Sequence, residues 1–523
     1  MGQVSGAERS GTAATKQVVI IGGGISGLAA AFFTREQAAR RGLPAQVVLL
    51  EEQARLGGLI ETVYRDGFLI ECGPDSFITD KPWALSLARE LELEPEMVGT
   101  REENRRAYVV RGGRLVEIPP GFLLLGPARL GPLFTSPILS LFGKLRAGFD
   151  LLLPRAFAGA DESVASFVTR RFGREAFERL AQPLTSAIYG VAPERLSLKA
   201  TFPRFFELEQ THRSVILGLG AIARARSTSA NDASGARLGL FVSFKHGMAT
   251  MVEALARALG DCARLRARAV ALEREGPRWR VELGAPAAPG AGQAIAADAV
   301  VIATPAYETA RLLKPHAPRA AKLLEEISYG SSALVTLAYR AADIPVVLRG
   351  SGFVVPRVEG RRIAACTFSS LKFPARAPAD YVLTRVFMDR GAGAEPRTLD
   401  DAEMGHAAHA ELEELLAVRA TPRFCHVKRH DRAMPQYVVG HLERVDAIED
   451  EIEGLRGLRL SGAAYRGVGM PDCVHSGEVA AQGVLDDLFG REHPSGGGAA
   501  VGSRPFGGRD PGGAPARARG HPL

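Results

Sequence analysis

The chain has few cysteines, and they form no pattern that binds a metal. Its 523 residues include only five, at positions 72, 262, 366, 425 and 473. They are odd in number and far apart, and no two have the Cys-x-x-Cys or Cys/His spacing of metal ligands. We therefore predict a reduced, cytosolic type of protein with no structural disulfide and no metal site.

Long apolar runs and a strong charge of one sign are also lacking. No stretch reaches the roughly 18 apolar residues that a membrane-spanning helix needs, and the first 16 residues have no apolar core like that of a signal peptide. The net charge is +7, and no basic segment carries interleaved aromatic residues. We therefore predict no transmembrane helix, no signal peptide and no nucleic-acid binding.

Glycine, by contrast, is abundant and clusters near the start. Residues 18–31 read VVIIGGGISGLAAA, a short apolar strand that runs through G-x-G-x-x-G into an alanine-rich helix. The first glycine permits a tight turn, the second lets phosphates approach the backbone, and the third lets helix and strand pack closely. The residues predicted to surround a dinucleotide pyrophosphate are Gly22, Gly24, Ile25, Ser26 and Gly27.

An acidic residue and a second glycine turn follow. Residues 45–50 read as a second apolar strand, in βαβ order with the first, and Glu51 ends it. A carboxylate at this place accepts hydrogen bonds from ribose hydroxyls. An NAD domain has no need of the glycine-rich segments that come next, so we predict FAD as the dinucleotide. The further FAD-binding residues predicted here are Arg55, Gly57, Gly58, Gly73, Pro74 and Asp75.

The end of the chain repeats the order strand, glycine, helix. Residues 278–283, 294–305 and 458–464 read as strands, and a helix is predicted from Ser476. With the opening motif, the segments DAVVIATP and LSGAAYRGVGMPDC resemble the flavin-containing amine oxidase superfamily. That resemblance implies a non-covalently bound FAD. It also places Gly462, Val468, Gly469 and Met470 beside the flavin.

Within the superfamily, the segments ECGPDSF, YVVRGGRLVEIP and MPQYVVGHLERVDAIE are most similar to oxygen-dependent protoporphyrinogen oxidases, over about residues 17–488. The resemblance implies oxidation of protoporphyrinogen IX to protoporphyrin IX in haem biosynthesis, with O2 as acceptor and H2O2 as product. The alternatives are coproporphyrinogen III as substrate, another flavin amine oxidase or desaturase, and a non-catalytic FAD-binding protein. Because the cofactor carries out the redox chemistry, we assign no catalytic side chain. We expect His212, His430 and His441 to be structural or to lie on the surface.

The same resemblance indicates an apolar substrate slot with a cation at its mouth. Where the family has an arginine for a propionate, this chain has Ala107, preceded by Arg105 and Arg106. Ala187 stands where relatives often have glycine, and His430 where they tend to have tryptophan. The side chains predicted to line the slot are Phe353, Val354 and Phe368.

We predict an α/β protein with α+β insertions and three folded parts. A discontinuous Rossmann-like FAD-binding domain takes residues 17–85, 241–305 and 424–489, and a mixed-sheet substrate domain takes 86–117, 201–240 and 306–423. Residues 118–200 are apolar, interrupted by Pro and Gly, and predict a mostly helical subdomain. This subdomain either packs inside the protein or docks on a membrane surface. The resemblance implies a peripheral protein at the cytoplasmic face of a membrane and is compatible with a homodimer. Residues 1–16 and 490–523 are predicted to be disordered.

Overall fold

The computed structural model describes residues 14–155, 161–190, 192–228, 239–284, 293–388 and 399–490. The predicted disorder of the two ends concerns mainly residues outside these ranges. The described strands are β1 (Lys16–Ile21), β2 (Ala45–Leu50), β3 (Thr62–Arg65), β4 (Phe68–Glu71), β5 (Phe77–Ile78), β6 (Met97–Gly99), β7 (Ala107–Arg111), β8 (Arg114–Glu117), β9 (Phe122–Leu123), β10 (Gly126–Pro127), β11 (Phe241–Phe244), β12 (Ala263–Arg264), β13 (Ala269–Glu275), β14 (Arg278–Leu283), β15 (Ala294–Ala297), β16 (Ala299–Ile302), β17 (Tyr329–Arg340), β18 (Gly352–Val354), β19 (Ile363–Phe368), β20 (Tyr381–Met388), β21 (Phe424–Pro435) and β22 (Leu458–Leu460).

The described residues also form seventeen α-helices. They are α1 (Ile25–Arg40), α2 (Trp83–Glu90), α3 (Leu130–Thr135), α4 (Leu141–Gly148), α5 (Val164–Phe172), α6 (Arg174–Ala176), α7 (Gln182–Tyr189), α8 (Leu198–Thr201), α9 (Pro203–His212), α10 (Val215–Thr228), α11 (Ala249–Leu259), α12 (Ala306–Leu313), α13 (Pro318–Glu325), α14 (Ser369–Lys372), α15 (Asp401–Leu416), α16 (His441–Glu453) and α17 (Met470–Phe489).

A five-stranded parallel sheet carries the opening glycine motif. Its strand order is β12-β2-β1-β16-β22, so strands from the start, middle and end of the chain lie side by side. Val18 and Ile20 enter a core that α1, α11 and α17 cover, whereas Val19 and Ile21 enter a second core on the other face. Burial on both faces explains why these strands are continuous apolar runs. The predicted parallel pairing of β1 and β2 is confirmed.

The first and last helices pack closely on this sheet. Gly477 of α17 lies so near α1 that a β carbon there would be 2.5 Å from the carbonyl oxygen of Ser26 and 2.7 Å from the Ala30 nitrogen. Small residues on both helices therefore allow the first and last helices of the described chain to pack in close contact. We expected α17 to begin at Ser476, but it begins six residues earlier, at Met470. Pro471 does not prevent this, because proline is well tolerated in the first turn of a helix.

A second, seven-stranded sheet has the order β21-β17-β20-β19-β18-β7-β8. Its pairs are antiparallel except β18 with β7, which confirms the predicted mixed sheet. One face packs against α15 in a core that includes Val335, Val386 and Met404. Residues 424–435 are predicted to belong to the FAD-binding domain. They form β21, which instead hydrogen-bonds to β17 in this second sheet. The division of the chain into domains otherwise stays a prediction.

Helices α3 to α10 surround a third core. Phe167, Leu180 and Leu208 belong to it, so α9 and α10 extend the helical part beyond the predicted limit at residue 200. A buried ion pair stabilises this region, with Arg171 2.5 Å from Asp150 and both side chains fully buried. Ser214 and the Ile216 amide donate to the other carboxylate oxygen, so the buried charge has several partners. None of the helices in the described ranges is both long and apolar enough to cross a membrane.

Candidate functional site

The opening glycine loop lies at the carboxyl ends of β1 and β2, where α/β sheets commonly bind ligands. Gly24 caps α1 with an extended backbone, and no side chain of the described residues caps this helix. The first turn of α1 contains no acidic residue. Its free N–H groups and positive dipole end are therefore available to an anion such as pyrophosphate.

The loop is tight on one side and open on the other. A β carbon on Gly27 would lie only 1.8 Å from the carbonyl oxygen of Gly22, so helix and strand touch here as the motif predicts. A β carbon on Gly24 would meet no atom of the described residues within 4 Å. The geometry thus contains an uncovered stretch of backbone that can receive a phosphate.

Glu51 lies beside this loop and is 7% exposed. Its Oε2 accepts a hydrogen bond of 2.6 Å from the Gly23 amide, and its Oε1 accepts one of 2.7 Å from the Gln53 amide. These bonds fix the carboxylate at the end of β2, and each oxygen keeps a further lone pair. Recognition of a ribose by Glu51 stays a prediction that this placement fits.

The second glycine turn packs against the first. The Gly57 amide donates to the Gly23 carbonyl at 2.8 Å, and a β carbon on Gly58 would lie 3.3 Å from the Gly24 α carbon. The sequence predicted that Arg55 reaches the pyrophosphate. Its guanidinium instead donates to the Gly58 carbonyl at 2.6 Å and the Ile60 carbonyl at 3.1 Å. Arg55 therefore shapes this turn, and its contact with FAD stays a prediction.

The far end of the chain completes the edge of the sheet. β22 ends at Leu460, and Gly462 follows with a φ of +136° and open space where a β carbon would be. Gly469 caps α17, and no side chain of the described residues caps this helix either. Two helix N-termini, of α1 and α17, thus lie at the carboxyl ends of parallel strands. Val468 and Met470 flank the second of them, and their contact with the flavin stays a prediction.

Asp75 is held by two cations that the sequence did not indicate. Both of its oxygens accept from Lys372 Nζ, at 2.8 and 2.9 Å, and Arg385 Nη1 lies 3.5 Å away. Burial by itself would raise the pKa of Asp75, but the two cations and Ser76 hold that pKa well below its usual range. Arg385 also donates to the carbonyl of Gly73, so the predicted segment 73–75 is fixed to the second sheet.

The residues predicted at the slot mouth lie at the start of β7. Arg105 is 3.4 Å from Glu102, and Arg106 is 3.5 Å from Glu117, with both arginines substantially exposed. Ala107 is half-buried and pairs with Gly352 of β18. Exposed pairs of this kind contribute at most about 1 kcal/mol, so either arginine can exchange its partner at little cost. Their contact with a substrate stays a prediction.

The predicted apolar lining is divided between the two faces of the second sheet. Val354 packs toward the helical core around Phe167. Its strand, β18, also contacts α7, the helix that contains Ala187. Phe353 and Phe368 were expected beside Val354, but they are 2% and 1% exposed and belong to the core under α15. Successive residues of a strand point to opposite faces, so Phe353 cannot share the face of Val354.

The candidate histidines have structural roles or lie on the surface. His430 Nε2 is 2.6 Å from the Cys72 carbonyl, and burial lowers the pKa of this histidine. His441 bonds the Tyr465 carbonyl at 2.8 Å, and burial lowers its pKa to about 4. His212 is exposed at the end of α9. Among the described residues, no group of three or more His, Cys, Asp or Glu could hold a metal ion.

A parallel sheet with an open glycine loop, two helix N-termini and an acid after its second strand defines a dinucleotide-binding α/β protein. Residues 25–485 match the family described as flavin containing amine oxidoreductase. The chain belongs to this family of flavin oxidoreductases, and its cofactor is FAD. The backbone that is open at Gly24 and the N-termini of α1 and α17, which no side chain of the described residues caps, fit the pyrophosphate of that cofactor.

Within this family, the chain is similar to porphyrinogen oxidases. A coproporphyrinogen III oxidase of Bacillus subtilis is 33% identical over 476 residues, which is 91% of this chain and 99% of the relative. A protoporphyrinogen oxidase of Bos taurus is 32% identical, covering 90% of this chain and 98% of the relative. A solved structure from Exiguobacterium sp. 255-15, provisionally called a protoporphyrinogen oxidase, has a TM-score of 0.77 at 29% identity and covers 91% of this chain and 99% of that one.

Proposed function

We propose that this chain oxidises a porphyrinogen to the corresponding porphyrin, with O2 as the final electron acceptor and H2O2 as the second product. The observation that carries the proposal is the open backbone at Gly24, in a chain that is about one-third identical to porphyrinogen oxidases over nearly its whole length. When FAD is bound, it supplies the acceptor for hydride and passes electrons to oxygen.

The side chains of this protein bind, orient and exclude water. The α1 N-terminus and Gly24 would hold the pyrophosphate, and Glu51 would hold a ribose. The seven-stranded sheet and α7 would shield the reacting face, with Val354 and Ala187 as apolar neighbours of the macrocycle. His430 and His441 bond backbone carbonyls and His212 is exposed, so we assign none of these three as a general base.

For the substrate, we propose coproporphyrinogen III, which carries four propionates. The supporting observation is the number of cations in this part of the molecule, with Arg105 and Arg106 at the predicted slot mouth, Lys372 at the end of α14 and Arg385 on β20. The sequence favoured protoporphyrinogen IX, which carries two propionates. It is the second candidate, supported by the similarity to the Bos taurus protein.

Anaerobic mixing with each porphyrinogen tests this function. We expect the FAD-loaded protein to lose its flavin absorbance, faster with coproporphyrinogen III, because each FAD accepts two of the six electrons that a porphyrinogen loses. Porphyrin fluorescence should rise only when oxygen is admitted and the flavin turns over. Oxygen should then restore the flavin spectrum and produce H2O2. If the protein binds FAD but neither porphyrinogen reduces it, the proposal is wrong. Bleaching by a polyamine instead would identify an amine oxidase.

We also propose that α4 and the turn after it dock on a membrane surface. Leu141 and Phe142 are 71% and 78% exposed, and Leu145, Phe149 and Leu152 extend the same exposed apolar patch. Lys144 lies within the patch, as suits anionic lipid headgroups. The choice of the cytoplasmic face of the membrane, like a homodimer, rests only on the family resemblance.

Sedimentation with anionic lipid vesicles tests the patch. We expect the double variant Leu141→Ser, Phe142→Ser to bind vesicles several-fold more weakly. Val347→Ser is the matched control, since Val347 is 77% exposed but lies outside the patch. Equal sedimentation of wild type and the double variant would remove the argument for membrane docking.

A further inference from the structure

A cluster of two cations and one acid, Lys372, Arg385 and Asp75, carries excess positive charge. The side chain of Arg385 is 6% exposed, and its Nε has no hydrogen-bond partner in the part of the chain that the structure describes. The other charges around this place balance one another in sign, Glu71 with Arg376 and Glu61 with Lys428. Among the described residues, one positive charge of this cluster has no matching anion, and the Phe387 ring 4.9 Å from the Arg385 guanidinium offsets it only partly. An anionic ligand group would balance that charge.

The cluster is enclosed but not sealed. Lys372 and Asp75 keep 15% and 14% side-chain exposure, so a ligand group can reach them from solvent. Arg385 lies on the opposite face of β20 from Val386, which is in the core under α15. Its guanidinium therefore points away from the closed core and toward the segment 73–75.

The strand register connects this cluster with the slot mouth. Arg385 is opposite Thr367, Thr367 is opposite Gly352, and Gly352 is opposite Ala107. These residues form one row across β20, β19, β18 and β7 and share a face. Three strand spacings of about 4.8 Å put the backbones of Arg385 and Ala107 about 14 Å apart. That distance is comparable to the width of a tetrapyrrole with its side chains.

We propose that Arg385, supported by Lys372, binds a second carboxylate of the porphyrinogen, at the end of this row opposite Ala107. The inference rests on the proposed function and deepens it. Coproporphyrinogen III has propionates on all four rings, whereas both propionates of protoporphyrinogen IX lie on one side. A cation at each end of the row therefore selects the substrate with carboxylates on both sides.

Binding of three porphyrins to the FAD-loaded protein tests the site. The probes are coproporphyrin III, its uncharged tetramethyl ester and protoporphyrin IX, and fluorescence quenching gives each dissociation constant. We expect Arg385→Met to weaken coproporphyrin III binding about ten- to a hundredfold, as for a charge-assisted hydrogen bond. The ester and protoporphyrin IX should change less than twofold. Arg319→Met is the control, since Arg319 is highly exposed and pairs with Glu451 on the surface.

A second variant at Arg385 and the flavin reduction potential provide further tests of the site. If Arg385→Met does not fold, Arg385→Lys retains the charge and should weaken the free acid selectively but less. Equal losses for acid and ester, or no loss, would overturn the proposal. A shifted flavin reduction potential with unchanged coproporphyrin binding would assign the cation to the cofactor and also overturn it.

Turnover separates this inference from the proposed function. If the wild type binds coproporphyrin III through Arg385 but oxidises no porphyrinogen, the function is wrong and the carboxylate site stands. If both porphyrinogens are oxidised and Arg385→Met shows no selective loss, the function stands and the site is wrong.

Discussion

Substitution of alanine for two glycines of the same loop is predicted to have different effects, on protein stability at Gly27 and on FAD affinity at Gly24. At Gly27 the new β carbon would lie 1.8 Å from the Gly22 carbonyl oxygen and 3.2 Å from the Ala303 β carbon. Non-bonded atoms prefer separations of about 3.5 Å, so the helix or the loop must shift by roughly 1.7 Å. Overpacking of this kind costs about 1–3 kcal/mol. We therefore expect Gly27→Ala to lower the free energy of unfolding by at least that amount.

At Gly24 the same substitution leaves the fold intact. The backbone has φ −69° and ψ 175°, which alanine adopts readily, and the β carbon would lie in open space. Without added FAD, the unfolding free energy should therefore stay within about 0.5 kcal/mol of the wild-type value. The methyl group would, however, occupy the space proposed for the pyrophosphate. We expect FAD affinity to fall at least tenfold.

Thermal unfolding without added FAD and an FAD titration by flavin fluorescence measure the two effects separately. Gly148→Ala is the control, because its β carbon would also lie in open space, at the end of α4 and far along the chain from the loop. Wild-type FAD affinity in Gly24→Ala would refute the proposed pyrophosphate position. Unchanged unfolding of Gly27→Ala would refute the close approach of helix and strand.

Three further predictions concern buried charge and the slot mouth. Burial raises the pKa of Glu71 to about 6, so this group stabilises the fold below pH 4.5 and loses that contribution as the pH rises through 6. Unfolding curves of wild type and Glu71→Gln should thus diverge by about 2 kcal/mol between pH 4.5 and 7, and parallel curves would contradict this. Arg171→Met leaves the fully buried Asp150 without its cation and should cost about 3–5 kcal/mol in denaturant unfolding, whereas the exposed control Arg174→Met should change little. Ala107→Arg should tighten carboxylate-bearing diphenyl-ether inhibitors up to about fivefold in competition assays, and unchanged affinity would mean that residue 107 does not face the slot.

Local patterns in the sequence were sufficient to predict the loop that binds the cofactor's pyrophosphate. The glycine motif, β2 and Glu51 follow one another within 35 residues, and each feature depends on its immediate neighbours. The early start of α17 was missed because Pro471 and two glycines precede the predicted apolar pattern, although proline fits a first helical turn. The cations at Asp75 gave no signal, since Lys372 lies 297 residues away along the chain.

The sequence by itself determined that an FAD-type pyrophosphate loop opens an α/β protein and that its last segments resemble the other end of the same domain. Only the tertiary structure decided which strands are neighbours and which side chains share a face. Phe353 looked like a partner of Val354 and lies in the opposite core, because strand geometry alternates faces at every residue. Arg385, Thr367, Gly352 and Ala107 form one row only because β7, more than 200 residues earlier in the chain, pairs in that register with the consecutive strands β18, β19 and β20. Such pairing depends on long-range packing and hydrogen bonds, which a local pattern of residues does not encode.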